Sequence, residues 1–87
     1  MIQQYKPEKI KRRDRLEIIK DILNASIEGG CKTHLVYSTN MNFNFISKYL
    51  GDLIDKKLIK KVDKKYYITD AGRRLLELIK EAYEIID

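Results

Sequence analysis

Six lysines, Lys56, Lys57, Lys60, Lys61, Lys64 and Lys65, fall within ten positions, with Asp63 as the only acid among them. Like charges this close repel one another and gain nothing by proximity unless an anion meets them. The chemistry they support is electrostatic capture of a polyanion. A second set lies just upstream. Asn42, Asn44, Ser47, Lys48 and Gly51 are small or polar, and fall in one stretch of helical pattern. Carboxamides, a hydroxyl and an amine suit the reading of a polar surface. No nucleophile–base pair, glycine-rich phosphate loop or metal-ligand spacing is visible. The reading is therefore non-enzymatic, with no cofactor, no metal and no small-molecule substrate. His34 is expected at a helix surface and Cys31 as a small core residue. One cysteine builds neither a disulfide nor a thiolate metal site within one chain. Glu77, Glu81 and Glu84 read as a solvated helix face.

The 87 residues, 44% of them hydrophobic, suffice for one domain with a modest core. The net charge of +5 is concentrated in two blocks. One is the lysine cluster; the other is Lys9, Lys11, Arg12, Arg13 and Arg15 near the N-terminus. A chain selected only for solubility spreads its charge. The polar N-terminus gives no expectation of a signal peptide. No uncharged run approaches the ~20 residues of a membrane span. With a single cysteine, the expected compartment is a reducing cytoplasm.

Residues 1–11, with Pro7, read as a loose basic arm before a single domain over 12–87. Leu16, Ile19, Leu23 and Ile27 recur at helical spacing, widened by Ile18 and Ile22, and predict a first helix over 12–28 ended by Gly29-Gly30. After a short extended link, Thr33 is placed to cap a second helix over 33–40, with Leu35 and Val36 inward. Asn40-Met41-Asn42 reads as a turn, and Asn42 as the cap of a third helix over 43–57. Its buried stripe is Ile46, Leu50, Leu53 and Ile54. Ile59–Val62 and Tyr66–Thr69 predict two strands around Asp63-Lys64-Lys65, with Tyr66 and Ile68 on the inner face of a hairpin over 59–69. Thr69 then caps a last helix over 70–86, with Asp70 at its positive end and Gly72 allowing close packing. The order predicts a mainly α fold with a small β-hairpin wing (α+β), the winged helix-turn-helix. The lysines then sit at the end of helix three and on the wing, which in this architecture projects towards DNA phosphates.

From about Leu16 to Ile86 the chain resembles the small archaeal winged-helix DNA-binding proteins. These include the ten-kilodalton Sulfolobus chromatin-associated proteins and related archaeal transcriptional regulators. The residues that carry the resemblance are Lys32-Thr33, Tyr37, Tyr49-Leu50, Leu53, Leu58-Ile59 and the run Tyr66, Ile68, Thr69, Gly72, Leu75 and Leu76. The resemblance implies DNA binding and a homodimer through the last helix. In chromatin-type members that helix continues into a long antiparallel coiled coil; with Asp87 as the last residue, a shorter pairing is expected here.

Together these readings assign roles. Asn42, Asn44, Ser47, Lys48 and Gly51 form the face of a recognition helix in the ~12 Å major groove. Lys60, Lys61, Lys64 and Lys65 meet phosphates, supplying affinity and salt dependence. Lys32, Thr33 and the free N–H groups of helix two offer a further phosphate contact. The N-terminal basic cluster is either a DNA arm or a solvated helix start. Asp52 and Asp55 are discordant; they either pair with Lys48 and Lys56 or lie away from the DNA. The family pattern buries Phe43 and leaves Phe45 nearer the surface, where it either closes the helix-two junction or touches thymine methyls. Apolar residues ring the last helix, and Ile79, Ala82, Tyr83 and Ile86 are the expected dimer seam, against the alternative of packing on helix one. The expectation is a double-stranded DNA-binding protein of the nucleoid, a transcriptional regulator or small chromatin protein. The alternative is a winged-helix protein–protein interaction module, which the near-neutral third helix suits.

Overall fold

The computed structural model describes residues 14–86; the expected basic arm over 1–11, and Arg12 and Arg13 of the N-terminal basic cluster, lie outside them. Helix α1 (Arg15–Ala25) opens on Asp14, whose carboxylate accepts the Glu17 N–H at 2.9 Å. It thus runs over Arg15–Ala25 rather than the 12–28 expected from the apolar spacing, with an acidic cap and Glu17 at its positive end. Ser26 ends it. Its buried hydroxyl donates to the Ile22 carbonyl at 2.8 Å. The inward stripe is centred on Ile18, Ile22 and Leu23, and Leu16 is exposed, so the expected stripe is rotated about the helix axis. Ile19 and Ile27 pack at the margin of the core.

Helix α2 (Lys32–Thr39) starts from Cys31, which gives no side-chain cap. Thr33 lies inside the helix rather than at its cap, and Cys31 is exposed rather than in the core. The Thr39 hydroxyl closes the helix by donating to the Leu35 carbonyl at 2.8 Å. Asn40, in the left-handed region at φ 58°, turns the chain. Helix α3 (Phe43–Asp55) begins as expected, with the Asn42 side-chain oxygen accepting the Phe45 N–H at 2.9 Å. Ile46, Leu50 and Leu53 are its buried stripe, and Ile54 is only partly covered.

Strands β1 (Ile59–Val62) and β2 (Lys65–Ile68) pair antiparallel, with Ile59 opposite Ile68 and Val62 opposite Lys65. The turn is therefore Asp63-Lys64, one residue tighter than expected, and Lys65 and Tyr66 both belong to β2. Asp63 takes φ 59°, a conformation Asp tolerates better than most residues. Tyr66 and Ile68 face inward. A backbone bridge joins Gly30 to Tyr66, with N–H to carbonyl bonds of 2.8 and 3.2 Å, so the loop after α1 holds the root of the hairpin. Gly29 sits beside it at φ 82°, where a side chain would collide with the Tyr67 ring.

Helix α4 (Asp70–Ile86) leaves the wing through Thr69. The Thr69 hydroxyl donates to the Lys57 carbonyl at 2.8 Å and accepts the Gly72 N–H at 3.0 Å. Its own N–H donates to the Leu58 carbonyl at 3.1 Å. At Gly72 a Cβ would collide with that Leu58 carbonyl oxygen, so only glycine lets α4 seat here. Gly72, Leu76 and Ile79 are the buried residues of α4, which packs along α1. Near its far end the Tyr83 hydroxyl donates to Asp14 at 3.3 Å, and Lys20 lies 5.2 Å from the Tyr83 ring centre. Burial first, then the carboxylates of Asp14, Glu17 and Asp21, raise the Tyr83 pKa and keep the phenol a donor.

Thr69→Val keeps the shape and removes both hydroxyl bonds. It is expected to destabilise the fold by about 1–2 kcal/mol in denaturant titrations, whereas Thr69→Ser loses less than half of that.

Candidate nucleic-acid interface

Opposite the buried stripe of α3, the helical repeat places Asn44, Ser47, Lys48 and Gly51 on one outward face. Asn44, Lys48 and Gly51 are exposed and Ser47 is half-buried. Asn42 is exposed, but its oxygen is committed to the cap, leaving mainly its amide N–H groups to offer. Asn44 is exposed, and its carboxamide makes no hydrogen bond among the described residues. A Cβ built on Gly51 meets nothing within 4 Å. Among the described residues no packing therefore calls for glycine there, although an exposed mid-helix glycine costs roughly 1 kcal/mol relative to alanine.

Beside this face neither acid pairs with the lysine that one alternative gave it, and one ring departs from expectation. Asp52 pairs with Arg15 at 3.8 Å, not with Lys48, in an exposed ion pair of little energetic weight. Asp55 is exposed without an ion pair to Lys56. Phe43 is not buried: it is 52% exposed, and Phe45 39%. As the first helical residue, Phe43 overhangs the start of α2, where the Lys32 amine lies 5.0 Å from its ring centre. Phe45 leans the other way onto Tyr49, with ring centres 5.1 Å apart and planes at 59°. Tyr37, on α2, is exposed.

Lys60, Lys61, Lys64 and Lys65 are all exposed. None of them forms an ion pair among the described residues. Alternation along β1 sends Lys60 and Lys61 to opposite sides of the hairpin, so the four do not form one surface. Lys61 lies 5.5 Å from the Tyr66 ring centre, while Lys64 and Lys65 stand at the tip. At the start of α2, Thr33 is exposed and Lys32 is drawn over Phe43, which brings the starts of α2 and α3 together. His34 faces Ser38 at 3.4 Å, a neighbouring-turn contact on an exposed surface.

On α4 the four expected seam residues separate. Ile79, 3% exposed, belongs to the core, and Tyr83 is engaged by α1; Ala82 and Ile86 are exposed. Ile79 is thus buried within the chain, and Tyr83, half-buried, meets Asp14 and Lys20 of the first helix. Leu78 and Ile85, which belong to the apolar ring read from the sequence but not to the expected seam, are 49% and 84% exposed. The missed signal is that α4 carries two stripes at alternating four- and three-residue spacing. Gly72, Leu76, Ile79 and Tyr83 turn inward; the second stripe runs one residue off through Ala71, Leu78, Ala82 and Ile85, which are exposed, with Leu75 of the same register half-buried against the core.

Comparison with known proteins places this geometry. A family profile described as winged helix-turn-helix matches residues 12–87. Two uncharacterized proteins of Methanocaldococcus jannaschii are similar. One is 36% identical over 76 residues, which cover 86% of this chain and 36% of that protein, so this chain spans only about a third of that relative. The other is 34% identical over 77 residues, covering 87% of this chain and 79% of its own. The crystal structure of Sso10a-2, a DNA-binding protein from Sulfolobus solfataricus, superposes with a TM-score of 0.72 at 31% identity, over 84% of this chain and 81% of that one. Helices α2 and α3, the hairpin after them and the closing helix match in order what the profile describes, and the chain belongs to the winged helix-turn-helix family.

Proposed function

We propose that this protein binds double-stranded DNA, with α3 in the major groove and the wing lysines on flanking phosphates. The observation that carries the reading is an exposed, glycine-centred helix face followed at once by a hairpin of four exposed lysines that no acid among the described residues neutralises. The DNA-binding character of Sso10a-2, a relative of the same fold, supports it. The role is transcription regulation or chromatin organisation in the nucleoid, without catalysis. A mainly phosphate-borne affinity, nearly equal on unrelated duplexes, marks the chromatin role; strong preference for one sequence marks the regulator. The start of α2, with Lys32 and Thr33, adds a phosphate contact in this reading.

The test is duplex affinity across a salt series, with Lys60, Lys61, Lys64 and Lys65 changed to Ala together. Wild type should lose affinity steeply with salt, and the variant should show a slope shallower by about 0.9 for each phosphate it no longer neutralises. Absence of duplex binding by both at low salt would transfer the reading to a protein-interaction module, which the single lysine and two aspartates of α3 favour.

Gly51 separates folding from binding. Gly51→Ala is expected to raise stability by about 0.5–1 kcal/mol while weakening DNA affinity, because the added methyl stands between the helix and the groove. Denaturant titration and anisotropy on one preparation read both signs.

We also place a homodimer on the outward stripe of α4, with Leu78, Ala82 and Ile85 as its centre and Ile86 at the margin. Exposed leucine and isoleucine at coiled-coil spacing on a helix whose other face is already packed support this. Sedimentation of wild type should give a dimer and that of Leu78→Glu/Ile85→Glu a folded monomer.

A further inference from the structure

We infer that Phe43 and Phe45 read the 5-methyl groups of thymine, so that the α3 face selects A·T pairs. The inference rests on the DNA-binding reading above and deepens it.

Neither ring is part of the buried core. The buried core runs through Ile46, Leu50 and Leu53 on α3, and neither phenylalanine belongs to it or to the partly buried residues packed against it. Yet both are large, apolar and exposed at the first turn of a helix whose outward residues are otherwise polar or glycine. Two such rings at the leading turn of a helix placed in the groove offer apolar contact to whatever apolar group they meet there. In the major groove the one apolar group on a base edge is the thymine methyl.

The rings are also held in place. Lys32 sits over one side of Phe43, and Phe45 is braced on Tyr49. A braced ring loses little freedom on binding. The helical repeat turns Phe43 and Phe45 to opposite flanks of α3 and leaves Asn44 between them, facing out with its carboxamide unbonded among the described residues. Asn is the residue that bonds the N6 and N7 edge of adenine in two places. Methyl reader, adenine reader and methyl reader therefore follow one another along Phe43-Asn44-Phe45. The groups that read guanine are scarce by contrast: α3 holds no arginine and one lysine, Lys48. The surrounding cations, Lys32 and Lys48 beside the rings and the wing lysines beyond, suit a polyanion rather than an apolar protein surface.

The experiment compares one A·T-rich duplex made with thymidine and with deoxyuridine, which differ only in the 5-methyl groups. Charge, pairing and salt response stay the same. Wild type should bind the deoxyuridine duplex more weakly, by roughly fourfold for each methyl touched. Phe43→Ala/Phe45→Ala, checked for helix content, should bind both duplexes equally and keep the wild-type salt slope. Equal binding of the two duplexes by wild type, with a steep salt slope intact, overturns the inference and leaves DNA binding standing. The same discrimination retained in the double variant also overturns it, because the methyls are then read elsewhere. Failure of both duplexes to bind wild type at low salt removes the DNA reading itself and the inference with it.

Discussion

The geometry of the molecule hangs on one hydroxyl. Thr69 donates to the last turn region after α3 and accepts from the first turn of α4, while its backbone N–H bonds the intervening Leu58. The entrance to the hairpin, its exit and the start of the closing helix therefore meet at one residue. Gly72 completes the junction, since its missing side chain lets α4 sit directly on the Leu58 carbonyl. The neighbouring Lys57 adopts φ 63°, an unfavourable value for a lysine, which persists because its carbonyl is fixed from the other side. Fixing this joint fixes where the wing points relative to α3.

Around that joint the stabilising and the destabilising features are separated in space. The inward faces of α1, α3 and α4 carry Ile, Leu and glycine at positions where each is needed. The outward face of α3 carries a glycine with open space around it, two exposed phenylalanines and an exposed carboxamide. The wing carries four lysines without acidic partners among the described residues. Each of these is neutral or unfavourable for folding alone. Local rules break at sites shaped by something other than stability, and here they break together on the surface proposed to meet DNA.

The element order, the Asn42 and Thr69 caps, the inner face of the hairpin and the role of Gly72 were legible in the sequence, because each is a local rule tied to a residue type. The face of α1 was not. Six apolar residues at Leu16, Ile18, Ile19, Ile22, Leu23 and Ile27 fit two overlapping stripes, and only the packing of α4 decides between them. The two stripes of α4 could not be told apart for the same reason: they differ by a single residue, and Asp14 and Lys20, distant in sequence, claim Tyr83 for the inner one. Thr33 lost its capping role because the helix begins one residue earlier, at Lys32, after an uncapped cysteine. The polar face of α3 was readable as a set of residues, but that the fold leaves Gly51 unoccupied and Phe43 uncovered emerges only in three dimensions.

The bridge between Gly30 and Tyr66 gives the hairpin a graded stiffness. Its root is tied on one side to the loop after α1 and on the other to α4, and Ile59, Tyr66 and Ile68 are buried there. From Val62 to Lys65 the chain has only its own ladder. Local opening free energy should therefore fall from root to tip. Such a cantilever keeps its bearing while its end conforms to the contour it touches, so that one protein shape serves surfaces of slightly different width.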